Sequence, residues 1–400
     1  MTKIEKTRAY FRGFFDFDLD IQLVLFSNLF SCIQIGIFIV VQPLYFVKIG
    51  FSSSTIGFLL GLTSVFSTIF LIPSGIVADR LGKKLVLISS SIAYLLSFLI
   101  YALFDSFSFL ILASLLSGFS WGAWAAPYNA LIADKVEQNK RSHAFSFSAF
   151  LYTLGSIIGS IIAGSKELIE AIFHFDPISS YKLIFWLSIA LGVLAVIPLF
   201  LIKEEEKSTI NLKKYLQLKS WNPIIKFSIV NAFIGLGAGL FITLVPLYMN
   251  IKFVASEAEI GALFAASNTI MALSFFVAPK LMEVFGAVKA TVYAQSLAII
   301  LLFLIPFAPS FFIGAFLYVL RTILMNFAQP IFVTYAMDLV NKEERSIATS
   351  ITTIAWNGTS ALGTMLGGQI MEAHLEFPVF LCGISYTFST ILYYLFFKEK

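Results

Sequence analysis

Charge is what this 400-residue chain has least of: Asp, Glu, Lys and Arg make up 12% of it, against 58% hydrophobic residues. A soluble domain carries about 25% charged residues. Half that share excludes water as the main solvent and points to a lipid bilayer. Cysteine is nearly absent as well. Cys32 and Cys382 both fall inside apolar runs, which reads as two buried thiols rather than a disulfide or a metal site. His143, His174 and His374 sit in or beside loops without ligand spacing, so no metal and no cofactor is expected. No G-x-x-x-x-G-K-[ST] loop occurs, which argues against ATP-driven work by this chain alone. The acids and histidines are scattered, which argues against an enzyme. The net charge of +4 gives no reason to expect a nucleic-acid partner. The N-terminal "MTKIEKTRAYFRGFFDFDLD" is polar and lacks the pattern of a cleavable leader.

What is there instead is a series of apolar stretches of about 20 residues, the length a helix needs to cross the hydrocarbon core. They run near 21–46, 55–77, 84–104, 108–132, 145–165, 181–202, 223–249, 258–279, 288–308, 311–336, 347–370 and 378–397. The runs are continuous rather than alternating, which predicts helices and excludes a β-barrel. The expected class is therefore an all-α polytopic membrane protein of twelve spans. Lysine and arginine crowd alternate connections; the others hold only Lys48, Lys166, Lys182 and Lys252. That bias places both termini in the cytoplasm of a protein of the cell membrane. The polar stretch 202–222 divides the spans six and six. The expected organisation is an N-terminal bundle over 1–202, a cytoplasmic linker over 203–222 and a C-terminal bundle over 223–400, the linker holding a short amphipathic surface helix.

The halves repeat. A shift of 204 residues aligns Ile56 and Gly57 with Ile260 and Gly261, Asp79 with Glu283, and Gly82 with Gly286. It also aligns Arg141 with Arg345, Ser156 with Ser360, Gly159 with Gly363 and Gly164 with Gly368. A shift of 203 sets Pro43-Leu44-Tyr45 on Pro246-Leu247-Tyr248 and Pro127 on Pro330. Two halves of like orientation imply bundles related by an axis along the membrane normal, with the solute site between them near the midplane.

One stretch carries a family resemblance. Gly75-Ile-Val-Ala-Asp79-Arg80-Leu-Gly82-Lys83-Lys84 resembles the G-x-x-x-D-[RK]-x-G-[RK]-[RK] loop between the second and third helices of the major facilitator superfamily, with every signature position matched. The segment 279–286 is a worn copy of it. The resemblance implies the fold of that family, two six-helix bundles in a pseudo-twofold parallel repeat, and transport of a small solute by alternating access as a monomer. It also implies that Gly75, Asp79, Arg80, Gly82, Lys83 and Lys84 form a conformational latch. Arg80 is expected to pair with Asp134. Asp134 with Arg141, and Asp338 with Arg345, are expected as equivalent gate or capping pairs.

Polar residues inside spans are costly and mark function. Arg321 stands about ten residues into the tenth span, where a guanidinium facing a cavity would attract carboxylate, phosphate or sulfate. Helices one, four, seven and ten line the cavity in the family, which selects Gln34, Trp124, Asn129, Asn231, Arg321 and Asn326 as candidate substrate contacts. Amides in spans also serve as helix–helix hydrogen bonds. No carboxylate stands at mid-depth, so coupling to a proton or counter-ion would have to use edge groups such as Asp16, Asp18, Asp20, Asp105, Glu372 and Glu376. Gly155, Gly159 and Gly164 are spaced for close helix packing. Their helix is similar to the fifth-helix motif of proton-coupled drug antiporters but lacks its Gly-Pro step. Three readings follow: transport of an organic anion or other polar metabolite, efflux of amphipathic compounds, or a transporter-like sensor that no longer transports.

Overall fold

The structure is a computed structural model describing residues 17–138, 140–203, 219–274, 286–341 and 344–398. Asp16, most of the expected linker and the worn loop copy up to residue 285, with Glu283, lie outside the described residues. In hydrocarbon every backbone N–H and C=O must be met within the chain, and the described residues meet that demand with helices. The first half holds α1 (Leu19–Lys48), α2 (Ser53–Leu81), α3 (Lys83–Leu103), α4 (Phe107–Lys135), α5 (Arg141–Gly164), α6 (Lys166–Phe173) and α7 (Pro177–Leu201). The second holds α8 (Trp221–Leu240), α9 (Val245–Phe253), α10 (Glu257–Ser274), α11 (Ala287–Leu304), α12 (Phe311–Asp338), α13 (Arg345–Ala373) and α14 (Phe377–Phe397).

Among the described residues, counting α8 and α9 as one crossing and α6 as none gives the twelve expected spans, each close to its predicted limits where described; the expected end of the eighth, near 279, lies outside the described residues. Two features differ from the expectation. The seventh span is broken by a 3-10 turn at Ile242–Leu244. Gly235, Gly237 and Gly239 weaken the end of α8, and Pro246 near the start of α9 has no N–H to continue the ladder. Its repeat counterpart Pro43 lies within the unbroken α1. The second difference is α6, a short helix inserted between the fifth and sixth spans.

Chain reversals follow local chemistry. Gly82 joins α2 to α3 at φ +113°, and its repeat mate Gly286 precedes α11 at φ +74°, a region that other residues enter only with strain. Asp176 caps α7, accepting from the N–H groups of Ile178 and Ser179 ahead of Pro177. We call the side where α1 begins and α14 ends the near face, and the opposite side the far face.

Packing within each half follows the repeat. In the first half α1 lies against α5 and α7, α2 against α4, and α3 against α4 and α7. In the second α8 lies against α13 and α14, and α11 against α12 and α14. The α1–α5 contact closes on Gly36, where an added β-carbon would stand 3.0 Å from the Cα of Gly159. The matching α8–α13 contact closes on Gly239, where it would stand 2.8 Å from the amide nitrogen of Thr364. Buried rings fill the rest. Tyr45 meets Phe185 edge-on at 5.1 Å in the first half, and Phe227 stacks on Phe397 at 4.4 Å in the second. Outward-facing side chains such as Phe312 and Leu201 are the ones left for lipid.

The halves meet along two seams, α2 with α13 and α5 with α10. These seams are made by glycines that the repeat had aligned in sequence. Gly57 faces Gly368, and Gly261 faces Gly164: a β-carbon would stand 2.7 Å from the Gly368 Cα in one seam and 2.9 Å from the Gly164 Cα in the other. Both contacts lie toward the far face. Toward the near face α2 and α13 part. A β-carbon on Gly358 of α13 would meet nothing within 4 Å, and one on Gly75 of α2 would meet only Ala126 of its own half, at 3.9 Å. The α2–α13 seam is closed on the far side and open on the near side.

Candidate functional site

One cavity lies in each half, the second closer to the near face than the first. The first, of about 310 Å³, is lined from α1 by Asn28, Ser31, Gln34, Ile35 and Ile39, which recur at helical spacing on one face. Tyr94 of α3, Trp121 and Trp124 of α4, and Tyr152 of α5 close it. The second, of about 230 Å³, is lined by Asn231 of α8, by Phe332 and Met337 of α12, and by Thr352 and Trp356 of α13. Among the described residues, neither is lined by a charged side chain. Their walls are aromatic and aliphatic, dotted with serine, threonine and amide groups.

Three of the six residues expected to contact solute line these cavities: Gln34, Trp124 and Asn231. Gln34 is held by its amide, which donates to the carbonyl of Ser188 at 2.8 Å. Trp124 stacks on Tyr128 at 5.5 Å. The Asn231 amide donates to the Phe227 carbonyl at 2.9 Å within its own helix. The other three lie elsewhere. Asn129 is exposed on the last turns of α4, and the Asn326 amide donates to the Thr322 carbonyl at 2.9 Å. Arg321 is buried inside the second half, 3% exposed, with its guanidinium carbon 5.1 Å from the centre of the Tyr386 ring. Its Nε has no hydrogen-bond partner among the described residues. α12 turns this side chain toward α14, so the ring of Tyr386 takes the place expected for an anionic solute.

Tyr94 and Tyr152 are lining residues that sequence reasoning passed over. A tyrosine inside an apolar run looks like ordinary packing, and only the three-dimensional neighbourhood separates the two roles. The hydroxyl of Tyr94 is buried without a partner among the described residues, an arrangement that costs free energy until something fills it.

The charged turn of the sequence sits at the near end of the first half. Lys83, not Arg80, pairs with Asp134. The left-handed reversal at Gly82 sets Lys83 at the start of α3 beside the end of α4, and leaves Arg80 exposed on the last turn of α2. Lys84 donates to the carbonyls of Phe200 and Ile202 at 2.8 Å, tying the end of α7 to the same turn. Arg345 reaches Asp338 at 3.8 Å. Arg141 and Arg345 share a further contact: each donates its Nε to the carbonyl five residues earlier, of Val136 and Val340, at 3.1 and 3.5 Å.

Two bundles of spanning helices, related by an internal repeat, joined at the far face and each holding a cavity, define a secondary transporter that works by alternating access. The chain belongs to the Major Facilitator Superfamily, whose sequence profile matches residues 24–228 and again 227–400. It is 25% identical over 371 residues to the quinolone resistance protein NorA of Staphylococcus aureus (strain MSSA476), covering 90% of this chain and 93% of that one. Multidrug resistance protein 2 of Bacillus subtilis (strain 168) is 22% identical over 376 residues, with 90% and 91% covered. Among solved structures, the nucleoside transporter NupG superposes with a TM-score of 0.75 at 17% identity, covering 95% of this chain and 99% of that one. A bacterial homologue of the lysosomal transporter Spinster, inward-facing and occupied, superposes with a TM-score of 0.74 at 16% identity, with 95% and 96% covered. The chain is a multi-pass membrane transporter of small solutes.

Proposed function

We propose that this transporter exports amphipathic compounds carrying aromatic rings. The observation that carries the reading is the wall of the first cavity: Trp121, Trp124, Tyr94 and Tyr152 among serines and amides, with no charged side chain among the described residues. Such a wall binds flat apolar groups by area and ring contact and leaves a few polar groups to orient them. The relatives named for quinolone and multidrug resistance, at 25% and 22% identity, support the same substrate class. The lysine and arginine bias supports a cytoplasmic near face and a place in the cell membrane. The open near side is then the loading side. The bundles 1–202 and 223–400 rock as units about the cavities, the polar segment between them acting as a linker, and one chain suffices. Asp79 and Arg80, which lie at the parted near end, are placed to latch it when it closes, with the Lys83–Asp134 and Arg345–Asp338 pairs holding the helix ends that must meet.

A second reading rests on Arg321. Its unpartnered Nε favours an organic anion that reaches the second half in another conformation.

Thermal unfolding in detergent separates the two, because a ligand specific to the folded state stabilises it by RT ln(1 + [L]/Kd). Aromatic cations and neutral amphiphiles are expected to raise the midpoint of the native protein and of Arg321→Ala alike, and to lose the effect in Trp124→Ala. A rise with organic anions alone, abolished in Arg321→Ala, overturns the efflux reading in favour of the anion.

A further inference from the structure

Much of the polar wall of the first cavity is already engaged within the chain. The Gln34 amide is held by the Ser188 carbonyl, the Ser91 hydroxyl donates to the Leu87 carbonyl at 2.9 Å, and the Cys32 thiol donates to the Asn28 side-chain oxygen at 3.7 Å. Tyr94 differs. It is 5% exposed, and of the lining residues it is the one with a buried side-chain oxygen that has no partner among the described residues. Its polar neighbour on the wall, Trp121, carries only an N–H donor and cannot accept the hydroxyl proton. Phe38 packs against the Tyr94 ring at 5.8 Å and against Trp121 at 5.7 Å, and Phe98 stands edge-on to Tyr94 at 4.9 Å. Aromatic neighbours thus fix the ring while its hydroxyl keeps an unclaimed proton.

We propose that Tyr94 selects what this cavity takes: neutral aromatic molecules that carry a hydrogen-bond acceptor, such as a ketone oxygen, on the ring system. This rests on the aromatic-substrate reading and narrows it. Helix number does not predict the position. The first, fourth, seventh and tenth spans were expected to line the cavity, and Tyr94 reaches it from α3. A lone hydroxyl donor in apolar surroundings stays costly beside hydrocarbon and is relieved by an acceptor seated against it. The acceptor is neutral because, among the described residues, no cation lines the cavity to meet a carboxylate. Two indoles and two phenols take the flat part of the molecule. The volume of about 310 Å³ is at the small end for ligand pockets, which suits a compound of two or three rings. The lining residues all come from the first half, so donor and rings keep their spacing as the halves rock.

The probes are 9-fluorenone and fluorene, one flat skeleton with a carbonyl in the first and a methylene in the second. Binding to the full chain in detergent is read from the rise of the unfolding midpoint with ligand concentration. Each compound is compared with itself across variants, so its uptake by detergent cancels. Fluorenone is expected to stabilise the native protein more than fluorene does. Tyr94→Phe keeps the ring. It is expected to weaken fluorenone about fivefold, the worth of one neutral hydrogen bond, and to leave fluorene unchanged. Ligand-free Tyr94→Phe is expected to unfold no lower than the native protein, because the hydroxyl it loses had no partner to give up. The infrared carbonyl stretch of bound fluorenone is expected at lower frequency than in detergent alone, and to return toward that value in Tyr94→Phe.

A fluorenone affinity unchanged in Tyr94→Phe, or a carbonyl stretch in the native protein equal to that in detergent, overturns the assignment. The infrared reading needs no variant and decides the matter even if one fails to fold. Trp124→Ala separates this proposal from the reading it rests on. If it abolishes binding of both compounds while Tyr94→Phe changes neither, the aromatic cavity stands and the donor is removed. If neither compound stabilises the native protein, both fall. If the Tyr94 preference holds while cells making the protein retain as much fluorenone as cells without it, the export reading is removed and the donor stays.

Discussion

A methyl group at Gly57 and one at Gly159 are both forbidden by contact, yet the structure predicts opposite consequences. At Gly57 a β-carbon would stand 2.7 Å from the Cα of Gly368 and 2.8 Å from the carbonyl oxygen of Thr364, both backbone atoms of the other half. At Gly159 it would stand 2.8 Å from the Cα of Gly36, within its own half. Overpacking against a backbone that cannot yield costs about 1–3 kcal/mol. At Gly159 that cost falls on every state that keeps the first half folded, since α1 and α5 pack within that half. At Gly57 it falls only on the state closed at the far side. Opening the seam relieves it, and alanine is a better helix former than glycine by about 1 kcal/mol. Gly57→Ala should therefore unfold at nearly the native temperature while shifting the far-face equilibrium toward open by about tenfold, the equivalent of ~1.4 kcal/mol. Gly159→Ala should lower the unfolding midpoint and leave that equilibrium in place. The assay is thermal unfolding beside the far-face distance, read by electron–electron resonance between spin labels at the exposed positions Phe175→Cys and Phe312→Cys. The reasoning fails if Gly57→Ala destabilises as much as Gly159→Ala with the far side still closed.

Two further outcomes follow from local geometry. Val254 is 85% exposed and sits at φ +52°, a conformation that strains a β-branched side chain. Val254→Asn should raise the unfolding midpoint by the relief of about 1 kcal/mol, and a fall would show that its side chain is held by a contact worth more. Glu344 accepts from the N–H groups of Lys219 and Ser220, which together with the Asn341 amide hold its carboxyl below the ordinary 4.5. A depressed pKa contributes stability that is complete above the unfolded value and is lost as pH falls through the folded one. The native protein should therefore lose midpoint below about pH 4 more steeply than Glu344→Gln, and parallel curves for the two would refute the assignment.

The hydrogen bonds that hold the near ends connect residues far apart in sequence, such as Lys84 with Phe200 and Glu344 with Lys219. No local signal announces them. The spans themselves were legible to within a few residues because lipid imposes one requirement, a self-satisfied apolar helix, that every crossing must meet. The repeat was legible for the same reason that it is structural. Gly57, Gly164, Gly261 and Gly368 recur because each seam needs two residues without side chains at the crossing point. The break in the seventh span was not legible, because Pro43 and Pro246 stand in the same tripeptide and only the second interrupts its helix. What differs is the glycine-rich run before Pro246.

The candidate site divides along the same line. Gln34, Trp124 and Asn231 were found from their polarity or size on the expected helices, and they line the cavities. Arg321 satisfied the same criterion, a charge at mid-depth, yet its cation rests on Tyr386 of α14. Helical position fixes depth in the membrane. It does not fix which way a residue faces when a helix is surrounded by neighbours on several sides. Composition and periodicity thus determined the solvent, the helices and the twofold repeat, and the loop 75–84 carried the resemblance to the family, each a property of one segment or of two segments compared. Which side chains face the cavities and which lysine takes Asp134 were decided by tertiary structure alone, because each depends on the rotation and packing of helices that no single segment encodes.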